Sequence, residues 1–134
     1  MTTYYLAGPM RGIPNGNIPA FEQAAAALRA LGYTIISPVE MDTAETLADT
    51  RLGTELAEYG GKKPGEILAQ DVEVIHDRVD GIIFLPGWTQ SRGARLEAFV
   101  GLISNKNFLA YYAPGAVLPM SADEVRHNLT ENMP

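Results

Sequence analysis

Apolar residues recur along this chain with two periods, and the period switches repeatedly from one end to the other. Tyr4-Tyr5-Leu6-Ala7 is a short β-rich run ended by Gly8-Pro9, which predicts a first strand. Met10 to Pro19, punctuated by glycine and proline, reads as a loop. From Ala20 to Leu31 the spacing becomes helical: Phe21, Ala24, Ala25, Leu28 and Leu31 share one face. Pro19 suits the first turn of that helix and Gly32 its C-terminal cap. Tyr33 to Ser37 predicts a second strand, stopped by Pro38. Val39 to Pro64 follows neither period. It holds a short helical piece at Thr54 to Tyr59 and a breaker at Gly60 to Pro64, and it reads as a functional lid or a flexible loop.

Gly65 to Val79 predicts a helix with Leu68, Val72, Ile75 and Val79 as its apolar stripe. Ile82 to Leu85 is continuously apolar between Asp80-Gly81 and Pro86-Gly87, as expected of a strand buried on both faces. Ser91 to Ser104 is the next helix and Asn107 to Tyr112 the next strand. Ser121 and Glu124 stand at capping-box spacing ahead of a last helix. This alternation predicts an α/β fold, a parallel sheet with helices on both faces. Ligands of such sheets bind beyond the carboxyl ends of the strands, where the segments starting at Gly8, Pro38 and Pro86 would meet.

With 134 residues, 46% of them hydrophobic, one domain with one core is expected over residues 1–134. The formal net charge of -6 disfavours nucleic acid and anionic lipid as partners. No cysteine is present, which removes disulfides, thiolate catalysis and cysteine-ligated zinc. His76 and His127 belong to no metal motif, so neither a metal nor another cofactor is expected. No apolar run nears membrane-spanning length and no basic leader opens the chain, so a soluble cytoplasmic protein is expected.

Four places carry candidate chemistry. Gly8-Pro9-Met10-Arg11-Gly12 follows the first strand; its backbone N–H groups and arginine suit an anion, or else form a tight turn with a surface arginine. Neither a dinucleotide fingerprint nor a P-loop is present. Glu97 sits on a helix among Gly93, Ala94, Val100 and Gly101, a face bare enough for a ligand to approach its carboxylate. The two glycines cost about 1 kcal/mol each relative to alanine, which calls for either close helix–sheet packing or ligand access. The competing reading pairs Glu97 with Arg92 or Arg95 on the surface. Asp71 lies beside the apolar stripe, where partial desolvation favours a protonated acid, or else on the exposed helix surface. Tyr5 offers a phenol near the first strand's exit, or a core aromatic. Asp80 serves the turn into its strand, and Trp88 walls or covers a pocket.

In order, Tyr5-Leu6-Ala7-Gly8-Pro9-Met10-Arg11-Gly12, Ser37-Pro38, Asp71 and Ser91-x-Gly93-x-x-x-Glu97 resemble the nucleoside 2-deoxyribosyltransferase superfamily over roughly residues 3 to 112. The resemblance implies a flavodoxin-like, doubly wound parallel sheet of four to five strands. It also implies a homodimer or higher homo-oligomer and a small-molecule nucleotide or nucleoside as substrate. Glu97 would attack C1′ of the sugar, Asp71 would protonate or position the departing base, and Tyr5 would orient the nucleophile. The family's nucleoside transferases carry an aspartate six residues before the nucleophile; here Ser91 stands there, as in its nucleoside monophosphate hydrolases. Gly8, Met10, Arg11, Gly12, Ser91 and Gly93 would then cradle a 5′-phosphate. The resemblance favours hydrolysis of a (deoxy)nucleoside 5′-monophosphate to free base and sugar phosphate. The alternatives are a base-exchanging deoxyribosyltransferase and a non-catalytic nucleotide-sensing module.

Overall fold

The computed structural model of the chain describes residues 2–41 and 64–131. The expected helical piece at 54–59 and the breaker at 60–63 lie outside the described residues. The elements run β1 (Thr3–Ala7), α1 (Ile18–Ala30), β2 (Thr34–Ile36), α2 (Pro38–Met41), α3 (Pro64–Arg78), β3 (Gly81–Phe84), α4 (Arg92–Ile103), β4 (Asn107–Tyr112), β5 (Ala116–Met120) and α5 (Ala122–Glu131). The sheet order is β2-β1-β3-β4-β5. The first four strands are parallel neighbours, and β5 runs antiparallel to β4. This is the flavodoxin-like α/β arrangement. The chain leaves β1 toward one edge and leaves β3 toward the other, so the sheet's switch point lies between their carboxyl ends.

β1 decides which side chains reach which layer, because successive residues point to opposite faces. Tyr4 and Leu6 join Phe21, Ala24, Ala25 and Leu28 of α1. Tyr5 and Ala7 join Ile75 of α3, Val79 just beyond its end, Ala94 and Ala98 of α4 and Val125 of α5. The glycine after α1 behaves as the sequence suggests. Gly32 has φ +98°, its N–H donates to Arg29 O at 3.0 Å, and Tyr33 N–H donates to Leu28 O at 3.1 Å. These two bonds make a Schellman cap. Leu31, the cap residue itself, keeps helical backbone, yet its side chain is exposed, contrary to the periodic reading. The α3 stripe divides similarly: Ile75 and Val79 are buried, Val72 is half-buried and Leu68 is exposed.

The strand pattern in the sequence stops at four, and β5 is the addition. Pro119 obscures it, since a proline cannot donate to a ladder and reads as a break. Its place on an edge strand, opposite Leu109, resolves the conflict, because half of an edge strand's N–H groups face away from the ladder. At the head of α5, Glu124 N–H donates to Ser121 Oγ at 3.1 Å and Glu124 Oε1 accepts from Ser121 N–H at 3.4 Å, the expected capping box.

Candidate functional site

Among the described residues Glu97 is the one buried acidic residue, 7% exposed on the inner face of α4. Tyr5 reaches it from the middle of β1, not from the strand's exit, and is fully buried. The phenol donates to Glu97 Oε2 at 2.6 Å. Asp71, half-buried on α3, acts on both partners through its charge and through side-chain hydrogen bonding. Three elements thus deliver two carboxyls and a phenol to one spot beneath the α3–α4 layer. The surface-pair alternative fails on burial and on partners. Arg95 instead donates from Nη1 to Thr89 O at 3.2 Å and from Nη2 to Leu129 O at 2.6 Å.

Burial drives the electrostatics here. Desolvation first, then the Asp71 charge and an Asp71 hydrogen bond, push the Glu97 carboxyl well above the usual carboxylate range; the Tyr5 hydrogen bond pulls the other way. Desolvation, then the Glu97 and Asp71 charges, push the Tyr5 phenol well above its ordinary value. Tyr5 therefore stays a donor throughout the working pH range, and an acceptor oxygen on Glu97 is what it faces.

The loops at the switch point are built by other forces. A Cβ on Gly8 would stand 2.9 Å from Leu85 Cβ, so this glycine answers to the close approach of the β1 and β3 ends. Gly12 has φ +76° with open space around it, and Arg11 is exposed beside it. Met10 turns its side chain into the α1 side of the core, leaving only its backbone to a ligand. Asn17 is a residue the sequence reading missed: its Nδ2 donates to Pro9 O at 2.8 Å and closes the loop on itself. The signal for it was slight, an Asn at the foot of a helix with φ 58°.

On the other side, Ser91 is the N-cap of α4, and its Oγ accepts from Ala94 N–H at 3.2 Å. The two glycines of α4 have different reasons. A Cβ on Gly101 would stand 2.7 Å from Ile82 Cδ1 and 2.9 Å from Phe108 Cε1, which is close helix–sheet packing. A Cβ on Gly93 would meet nothing nearer than Ser91 Oγ at 4.0 Å, so the first turn of α4 is open. Pro9 and Gly87 bring the two loops into contact, a Gly87 Cβ lying 3.3 Å from Pro9 Cγ. Asp80 does the turn work expected of it, its Oδ2 accepting from Thr3 N–H at 2.8 Å. Trp88 is buried and stacked on Phe84 at 4.1 Å. Among the described residues no group of acidic and histidine side chains is arranged to hold a metal ion.

A family model described as a domain of unknown function, DUF4406, matches residues 2–106. The chain belongs to this family. No curated protein matches the chain. The DUF4406 match contains Tyr5, the Gly8–Gly12 segment, Asp71 and the Ser91–Glu97 segment, so the whole acid cluster lies within the domain. It ends before β4, and β4, β5 and α5 lie beyond it.

Proposed function

We propose that this DUF4406 protein hydrolyses the N-glycosidic bond of a (deoxy)nucleoside 5′-monophosphate. The observation that carries the reading is the 2.6 Å bond from the buried Tyr5 phenol to Glu97, with the Asp71 carboxyl acting on both. A surface helix has no use for an oriented, desolvated carboxylate; a nucleophile does. Burial and the neighbouring Asp71 charge raise the proton affinity of Glu97, so a proton shared by the two carboxyls would supply one anion and one acid. The Tyr5 hydrogen bond favours the anion on Glu97. In the proposed reaction, Glu97 attacks C1′ and the C–N bond breaks. The base leaves with the proton from Asp71. Water then attacks the glycosyl ester, giving up a proton to Asp71 and freeing Glu97.

The phosphate preference rests on Ser91. A hydroxyl at that helix N-terminus donates to a phosphate oxygen, where a carboxylate would repel it. Gly8, Met10, Arg11, Gly12 and Gly93 complete the proposed cradle, Met10 through its backbone. Incubation with deoxynucleoside monophosphates and with the matching deoxynucleosides tests this. Base release is expected to be faster from the monophosphates. Faster release from the nucleosides would overturn the phosphate assignment.

The proposed enzyme is cytoplasmic and works as a homodimer. What supports the dimer is the outer face of α4, where Leu96, Phe99 (53% exposed) and Ile103 (65% exposed) form an apolar stripe. The one acidic residue of α4, Glu97, is buried, so the stripe carries no exposed carboxylate of that helix.

A further inference from the structure

A cleft of about 410 Å³ opens at the carboxyl ends of β3 and β4, and it shares no lining residue with the Tyr5–Asp71–Glu97 cluster or with the proposed phosphate cradle. Its floor is one face of the β4–β5 ladder. Ala110 pairs with Leu118 and Phe108 with Met120, so these side chains and Tyr112 point the same way. One wall is the Pro86–Thr89 segment with Trp88; the other is α5, through Glu124 and Asn128.

The cleft exists for identifiable reasons. Ala110 is small, which lowers the floor. Helix α5 packs on α4 and buries Val125, leaving the ladder face beside it uncovered. Arg95 fixes the spacing of the two walls, since its guanidinium holds Thr89 O in one and Leu129 O on the other. Tyr112 is left 51% exposed and Leu118 57% exposed, an apolar sheet face that a fold ordinarily covers.

The lining chemistry selects among small molecules. It contains Trp88, Tyr112 and Pro86, flat surfaces suited to a planar ring. Among the described residues that line it there is no lysine or arginine, and the carboxylate of Glu124 is included. A phosphate or carboxylate ligand would find no counter-charge there and one like charge. We propose that this cleft is a second binding site, which takes a planar heteroaromatic molecule that is uncharged or cationic and carries no phosphate. The proposal rests on the cleft alone and stands or falls apart from the glycosidase reading.

Trp88 is the single tryptophan of the chain, so its emission reports on this wall without labelling. The test is a titration of the full chain carrying Glu97→Gln with adenine, an uncharged heteroaromatic, and separately with inorganic phosphate. Adenine is expected to change Trp88 emission saturably, and phosphate to leave it unchanged. Leu118→Glu, at an exposed strand position, is expected to weaken the adenine response at least about tenfold while circular dichroism stays the same. No saturable change up to the solubility limit of adenine, or a response of equal midpoint in the Leu118→Glu protein, would overturn the site. Base release by the protein without either substitution is measured in parallel, so failure of one assignment leaves the other readable.

Discussion

The Glu97 carboxyl is held in the fold at some cost to stability, and that cost has a sign and a pH window. Burial and Asp71 raise its proton affinity above that of the unfolded chain. Between the ordinary glutamate range and the raised value, the folded state therefore binds more protons than the unfolded one. The stability tied to this group is full below the ordinary range and is lost as pH rises through the raised value. Glu97→Gln has no proton to lose, so its Tm is expected to gain on that of the unaltered chain as pH rises from about 4 to about 8. A constant Tm difference across that range would mean that Glu97 is not perturbed. The same substitution, or Glu97→Ala, is expected to lower base release at least about 100-fold, because it removes an interaction made at the transition state. Tyr5→Phe removes the donor that holds the Glu97 value down. The acid limb of its kcat/KM profile is expected to move to higher pH, whereas a purely structural role would lower activity without moving the limb. Of the residues concerned, Glu97 was legible in the sequence through its small neighbours, and Tyr5 through its place before Gly8. Their contact was expected from the resemblance but not from periodicity, because it depends on the register that sets Tyr5 opposite Ile82 on the α4 side of the sheet.

At the scale of elements, the two glycines of α4 separate packing from access. Gly101→Ala is expected to destabilise by about 1–3 kcal/mol, since its methyl would press on Ile82 and Phe108. Gly93→Ala meets open space and is expected to be neutral or to stabilise by up to about 1 kcal/mol. Chemical denaturation of the two variants checks both. Equal effects would mean that the helix sits on the sheet differently from the description above. Hydrophobic period made β1, α1, α3, β3, α4 and β4 readable, since each has an inner face or two. β5 escaped because Pro119 breaks the pattern at an edge where the ladder tolerates it. Leu31 misled because a helical period places a residue on a face without saying whether anything covers that face at the helix end. The cleft beside Trp88 was beyond reach for a similar reason, since its floor is the ladder of the unread strand.

For the whole molecule, the apolar stripe of α4 sets the expected assembly. Sedimentation is expected to give twice the 14.5 kDa chain mass, and Phe99→Glu is expected to return the monomer. A monomer at micromolar concentration without any substitution would remove the dimer from the account. No helix among the described residues is long and apolar enough to cross a membrane. The fold brings β1, α3 and α4 together at one acid cluster, and the central claim is that Glu97 forms a bond to sugar there. Peptide mapping after reaction with a 2′-fluorinated deoxynucleoside monophosphate reads that bond directly, because fluorine slows hydrolysis of the glycosyl ester. The account predicts a sugar-phosphate adduct on the peptide bearing Glu97, absent in Glu97→Gln. Base release that proceeds with an adduct on another residue, or that survives in Glu97→Gln, would contradict it.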